Sequence, residues 1–174
     1  MFQQIDVKQW NQNVFSAIGD QWMLITAGTK DRCNTMTASW GGLGVLWGKP
    51  VATAYIRPQR YTKEFVDAQD CFTLSFFGEE HRKALALCGA KSGREIDKAA
   101  QCGFTVAESA CGAPYFEEAQ LVLVCRKLYV DTIKPECFLD RECDTRWYPE
   151  HDYHTVYIGA ITEALQNCKE TAVR

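Results

Sequence analysis

Apolar positions along the chain fall mostly into short runs and alternations, a pattern that predicts a protein built mainly of strands. One segment differs. Val7, Trp10, Val14, Phe15 and Ile18 recur at helical spacing, with Asp6 placed to cap the first turn and Gly19 to end the last. After it, Trp22-Met23-Leu24-Ile25-Thr26-Ala27-Gly28 reads as a buried strand that stops at the turn-forming Thr29-Lys30-Asp31-Arg32. Residues 34–40 are short and β-prone, and Gly41-Gly42-Leu43-Gly44 reads as a loop. Further strands are expected over 51–56, 71–77, 119–130 and 157–161. Thr62 is placed to cap a short helix running to Ala68, and residues 79–88 form an amphipathic helix that Gly89 would end. Residues 92–103 read as a loop followed by one short helix.

Six strands with helices inserted between them, rather than alternating with them, exclude a doubly wound parallel sheet. The expected class is mainly β: an antiparallel β-barrel with added helices. No repeat, linker or low-complexity stretch divides the chain, so residues 1–174 are expected to form a single domain.

Composition narrows the function classes. The formal net charge of −3 gives no general attraction to nucleic acid or to an anionic membrane, although a local basic patch would still hold a small anion. The apolar run Leu121-Val122-Leu123-Val124-Cys125 is far shorter than the roughly 20 residues that cross a bilayer. The opening Met1-Phe2-Gln3-Gln4-Ile5-Asp6 has neither a basic nor an apolar leader region, so a cytoplasmic location is expected. The nine cysteines contain no C-x-x-C, which argues against zinc ribbons, rubredoxin-type iron sites and thioredoxin-type pairs. Most are expected to be small buried packing residues. The three histidines are scattered, so no metal site is expected, and no cysteine has the activating neighbour a hydrolase would need.

Four segments carry chemistry. Asn34-Thr35-Met36-Thr37-Ala38-Ser39-Trp40-Gly41-Gly42 places hydroxyls, glycines and an aromatic at a strand end; it suits a phosphate or a ring carbonyl, and equally a self-capping turn. Arg57-Pro58-Gln59-Arg60-Tyr61-Thr62 puts two arginines around a rigid step before a helix start, the two commonest means of holding a phosphate. Gly89 to Lys98 is polar and glycine-punctuated, with Lys91, Arg94 and Lys98 close together, but contains neither a P-loop nor a Rossmann turn. Asp152-Tyr153-His154 brings a side chain that changes charge near neutral pH to the start of the last strand.

The order of these segments resembles the flavin reductase-like, FMN-binding split-barrel family, and its flavoredoxin-like branch most closely. The resemblance runs through Asn34-x-Met36-Thr37-Ala38-Ser39-Trp40-Gly41-Gly42, Lys49-Pro50-Val51 and Arg57-Pro58-x-Arg60-x-Thr62. It continues through Ser75-Phe76-Phe77, Cys88-Gly89-x-x-Ser92-Gly93, Asp97-Lys98, Glu118-Ala119 and Asp152-Tyr153-His154-x-x-Tyr157-Ile158-Gly159, nearly the whole chain. It implies a six-stranded antiparallel FMN-binding split barrel, a homodimer with FMN near the subunit interface. Carried over by motif, Thr37, Ala38, Ser39 and Trp40 would line the flavin ring and ribityl chain. Arg57, Arg60 and Thr62 would hold the phosphate, and Ser92, Gly93 and Lys98 would approach from the loop. Many relatives place Gly-Asp-His before the last strand, with the histidine on the nicotinamide side. Here Tyr153 separates Asp152 from His154, so His154 is read either as that catalytic residue or as a structural one at the barrel mouth.

The activity so implied is that of an NAD(P)H-dependent flavin reductase or electron-transfer oxidoreductase. Hydride would pass from NADH or NADPH to flavin N5, and electrons onward to an acceptor. The alternative is an FMN-binding module without nicotinamide turnover, charged by a protein partner or serving as a flavin carrier or sensor. Cys33 and Cys88, each next to one of these segments, are candidates to approach the cofactor.

Overall fold

The computed structural model describes residues 1–168. Its main sheet is antiparallel throughout: β1 (Phe2–Ile5), β2 (Met23–Gly28), β3 (Cys33–Ala38), β4 (Gly41–Leu46), β5 (Lys49–Ile56), β6 (Cys71–Phe76), β9 (Leu121–Thr132) and β10 (Thr155–Asn167). Their order is β3-β2-β6-β9-β10-β5-β4, with β1 added on the end of β10. The short strands β7 (Val106–Glu108) and β8 (Pro114–Phe116) form a separate hairpin. Helices α1 (Tyr61–Ala68), α2 (Arg82–Ala90), α3 (Lys98–Cys102) and α4 (Arg141–Trp147) are inserted between strands. This is the mainly β split barrel expected, with eight strands in the main sheet where six were foreseen.

The central strands read as continuous apolar runs because both of their faces are covered. On β2, Met23, Ile25 and Ala27 join the barrel interior, while Leu24 points to a second core under α2 and the β7–β8 hairpin. On β9, Leu121, Leu123 and Cys125 face the interior, and Val122 and Val124 face the second core. Phe72, Leu74, Phe76 and Tyr157 fill the interior; Phe77, Leu85, Phe104 and Phe116 fill the outer layer.

Three elements differ from the sequence expectation. The helical stripe from Val7 to Ile18 packs Val7, Trp10, Val14 and Ile18 on the barrel but leaves Phe15 exposed, and it does not form one helix. It is a 3₁₀ turn over Val7–Gln9 and a π turn over Ser16–Asp20, because Asn13 Oδ1 accepts from the backbone N–H groups of Phe15 and Ser16 and starts the chain afresh. Gly41 to Gly44 belong to strand β4, not to a loop. At Gly41 a Cβ would lie 2.8 Å from Met23 Cε and 3.1 Å from the Thr53 carbonyl, so glycine there lets β4 close against β2 and β5. Gly89 lies inside α2 rather than ending it. A Cβ there would come within 3.3 Å of Thr37 Cβ, so the glycine allows α2 to sit directly on β3.

Candidate functional site

The barrel mouth is built from four pieces that are distant in sequence: the end of β3 with the Ser39–Trp40 corner, the end of β5, the α1–α2 edge, and the turn at 147–154. They enclose a cavity of about 180 Å³ lined by Met36, Thr37, Ala38, Ser39, Trp40, Tyr55, Arg57, Arg60, Trp147 and His154. Seven of the residues singled out from sequence therefore meet around one space. A trough of about 740 Å³, lined by Val14, Phe15, Ile18, Leu43 and Ile133 among others, adjoins it across Ser39, Trp40 and Tyr55. Alone, the cavity is smaller than the roughly 300–1,000 Å³ of most ligand sites; the two recesses together are ample.

The walls are aromatic. Trp40 meets Trp147 edge-on at 5.1 Å and the His154 ring at 5.0 Å, and Tyr55 stands edge-on to His154 at 6.5 Å. Thr37 has already committed its hydroxyl, which donates to the Leu85 carbonyl and ties β3 to α2.

The two arginines are employed differently. Arg57 pairs with Asp152, donates from Nη2 to the Trp147 carbonyl at 2.8 Å, and lies over the Tyr148 ring at 5.2 Å. Gln59 donates to the same Asp152 carboxylate at 2.8 Å, and that bond, followed by Arg57, holds the carboxyl below its usual range. Arg57 is thus a clamp on the 147–154 turn. Among the described residues Arg60 donates to a carbonyl alone, that of Gly89 at 2.8 Å, and burial followed by the neighbouring Arg57 lowers its pKa. Lys98 is buried beside it and donates to the carbonyls of Thr35 and Cys88, each at 2.7 Å. Burial is the main cause depressing Lys98, and Arg60 adds to it. Among the described residues no carboxylate pairs with Arg60 or Lys98. Two cations crowd each other here without a protein counter-charge, a setting that favours an anion.

Thr62, Ser92, Gly93 and Lys98 do not line the cavity. Thr62 is buried and its hydroxyl accepts from Asn34 Nδ2 at 2.8 Å. Ser92 accepts from the Arg94 backbone N–H at 3.2 Å. Gly93 is pressed against Asn34, and a Cβ there would fall 1.8 Å from Asn34 Oδ1. Gly93 and Lys98 instead line a neighbouring cleft of about 510 Å³ together with Asn34, Thr35 and Tyr61. Cys33 opens onto that cleft, its thiol raised by burial; Cys88 is buried with its sulfur 3.7 Å from that of Cys102, and its thiol is pushed up to about 12 by burial. Neither lines the cavity.

His154 is 7% exposed and its Nδ1 lies 2.8 Å from the Tyr148 hydroxyl. Burial, then Arg57, pushes the ring down to about 4. Sequence reasoning missed Tyr55, Trp147 and Tyr148; the adjacent aromatics Trp147-Tyr148 in an otherwise polar stretch were the available signal.

Comparison with known proteins places the fold. The high molecular weight rubredoxin of Moorella thermoacetica is 28% identical over 142 residues, which are 81% of this chain and 53% of that protein. The chain therefore spans about half the length of this curated relative. Among solved structures, flavoredoxin from Methanosarcina acetivorans matches with a TM-score of 0.68 at 21% identity over 96% of this chain and 77% of its own. An NADH:FAD oxidoreductase from Streptomyces globisporus C-1027 matches with a TM-score of 0.61 at 16% identity over 84% of this chain and 75% of its own. At such identities the structures speak for the fold alone. The family described as flavin reductase like domain matches residues 15–172, in keeping with the sheet order and the clustering of the motif residues at the barrel mouth. The chain belongs to the flavin reductase-like family.

Proposed function

We propose that the protein binds FMN at the barrel mouth and acts as an NAD(P)H-dependent oxidoreductase. The observation that carries this reading is one recess joining an aromatic wall, Trp40 and Trp147, to the half-buried Arg60, with Lys98 buried just behind it; among the described residues no carboxylate pairs with either cation. That donor set fits a ligand with a planar ring at one end and a phosphate at the other. Arg60 would hold the phosphate with Lys98 reinforcing the local positive potential, while Ala38, Ser39 and Trp40 would line the ring. Arg57 would act one step back, holding the turn that carries Trp147 and His154. Flavin, when bound, would supply the redox chemistry of hydride acceptance. The protein's own part is to orient the ring, to exclude water with its aromatic walls, and to present backbone N–H groups near Ser39 to charge developing on the ring.

The same reading makes the protein a homodimer. Phe15, 87% exposed, and the apolar side chains of the adjoining trough would be covered by a second copy. A single species near the chain mass in sedimentation at micromolar concentration would refute that part.

The test is an absorption spectrum with added FMN, followed anaerobically with NADPH and then NADH. Flavin bands that bleach with one nucleotide support the reading and name the donor. Bound flavin that reduces only with dithionite would leave an electron carrier fed by a protein partner. Absence of flavin binding would overturn the proposal.

A further inference from the structure

Tyr148 and His154 leave one another little freedom in how they share protons. Burial pushes the Tyr148 phenol up, so it keeps its proton at neutral pH. The His154 ring is neutral there, since burial and the nearby Arg57 and Arg60 outweigh the opposing pull of Asp152. A neutral imidazole has one nitrogen that donates and one that accepts. The Tyr148 hydroxyl oxygen accepts from the His154 backbone N–H, and among the described residues the acceptor within reach of its own proton is His154 Nδ1, at 2.8 Å. Were Nδ1 protonated, two protons would face each other across that contact or the buried phenol O–H would lose its acceptor, a cost of about 1–3 kcal/mol. His154 Nε2 makes no hydrogen bond within the described protein and is not sealed from solvent; its ring lines the cavity.

We infer that Tyr148 is a positioning residue: its O–H donates to His154 Nδ1 and thereby fixes the tautomer that presents an uncharged Nε2–H to the cavity. That donor suits a neutral carbonyl oxygen, such as a carboxamide or a ring carbonyl, and disfavours a ligand group that must itself donate. Tyr148 is in turn held beneath Arg57, whose guanidinium is anchored by Asp152 and the Trp147 carbonyl. The tautomer needs no flavin; only its catalytic consequence rests on the proposed function.

The test is a long-range ¹H–¹⁵N correlation spectrum of the histidine rings in the full-length protein near pH 7, with His154→Asn used for assignment. The expected result is His154 protonated on Nε2 and bare at Nδ1, with Tyr148→Phe shifting the Nδ1 resonance and leaving those of His81 and His151 in place. With FMN bound, Tyr148→Phe should slow bleaching by NAD(P)H about 3- to 10-fold, the worth of one neutral hydrogen bond, and leave dithionite reduction unchanged. A wild-type His154 protonated on Nδ1 overturns the inference, and so does a Tyr148→Phe spectrum with unmoved His154 nitrogens. If Tyr148→Phe does not fold, the wild-type spectrum decides. Failure of either nucleotide to bleach wild-type flavin would count against the proposed function instead, because the ring-nitrogen readout is independent of it.

Discussion

His154 should make the protein lose stability in mild acid, beginning above the range where most carboxylates titrate. Its ring titrates near 6.5 when free and about 4 in the fold, because it is buried and faces Arg57. The native state therefore resists a proton that the unfolded chain accepts. The sign follows: the stability held by neutral His154 is complete above about pH 6.5, drains away as pH falls, and is gone below about pH 4. A gap of about two and a half pH decades at about 1.4 kcal/mol each sets a ceiling of about 3.5 kcal/mol. Nε2 opens onto the cavity, where water solvates part of a charge, so about 1–2 kcal/mol is expected. The control is His154→Asn, which cannot titrate and keeps a carbonyl near the position of Nδ1. Urea unfolding of both proteins from about pH 7.5 to about 4.5 removes the shared carboxylate effects by difference. Wild type should lose about 1–2 kcal/mol relative to His154→Asn across that range. A difference flat to within about 0.5 kcal/mol would show that the imidazole is not desolvated, and the argument for its neutral state would fall.

Other outcomes test the frame of the site. Gly93→Ala should destabilise by about 1–3 kcal/mol, since the new methyl would sit 1.8 Å from Asn34 Oδ1 and force Asn34 off its hydrogen bond to Thr62; an unchanged urea midpoint would contradict this packing. Arg60→Ala should weaken FMN binding about 10- to 100-fold in a fluorescence titration, the worth of a charge-assisted hydrogen bond. Arg57→Ala should weaken it less, because that guanidinium is already spent on Asp152 and Trp147; the reverse ranking would exchange the two roles. Asp152→Asn should slow reduction by NAD(P)H more than it weakens FMN binding, by loosening the turn that carries His154; equal effects on both would show that the clamp acts on the whole pocket.

Much was determined locally along the chain. The strands β2, β6 and the first half of β9 are legible because Leu, Ile, Val and Phe dominate them with only small Thr, Ser, Ala or Cys between, a content that suits a sheet covered on both faces. The turn after Gly28 and the cap at Asp6 belong to the same class, depending on neighbours within a few residues: Asp6 accepts from the Lys8 N–H at 3.0 Å, whereas Thr62, expected to cap α1, lies inside that helix and its hydroxyl accepts from Asn34 instead, because the chain turns into the helix at Arg60. The helix expected between Val7 and Ile18 shows the limit: four of the five positions its periodicity marks are packed while Phe15 points outward, and Asn13 bonded to its own backbone neighbours and broke the helix.

Tertiary structure decided how the site residues divide their work. Arg57 and Arg60 look alike in sequence, two guanidiniums around one proline. They differ only because Asp152, 95 positions after Arg57, arrives beside one of them and the end of α2 beside the other. Thr62 shares a motif with the cavity residues Arg57 and Arg60, and Gly93 and Lys98 come from motifs expected at the same site, yet all three brace β3 through Asn34 and the Thr35 carbonyl. The link between Tyr148 and His154 depends equally on how a turn folds back on the barrel mouth. Residue type and local spacing set which groups are available for chemistry. Which of them face the cavity, and which are consumed in holding it open, depends on long-range hydrogen bonds and on the burial of charge, and these exist only once the sheet has closed around its core.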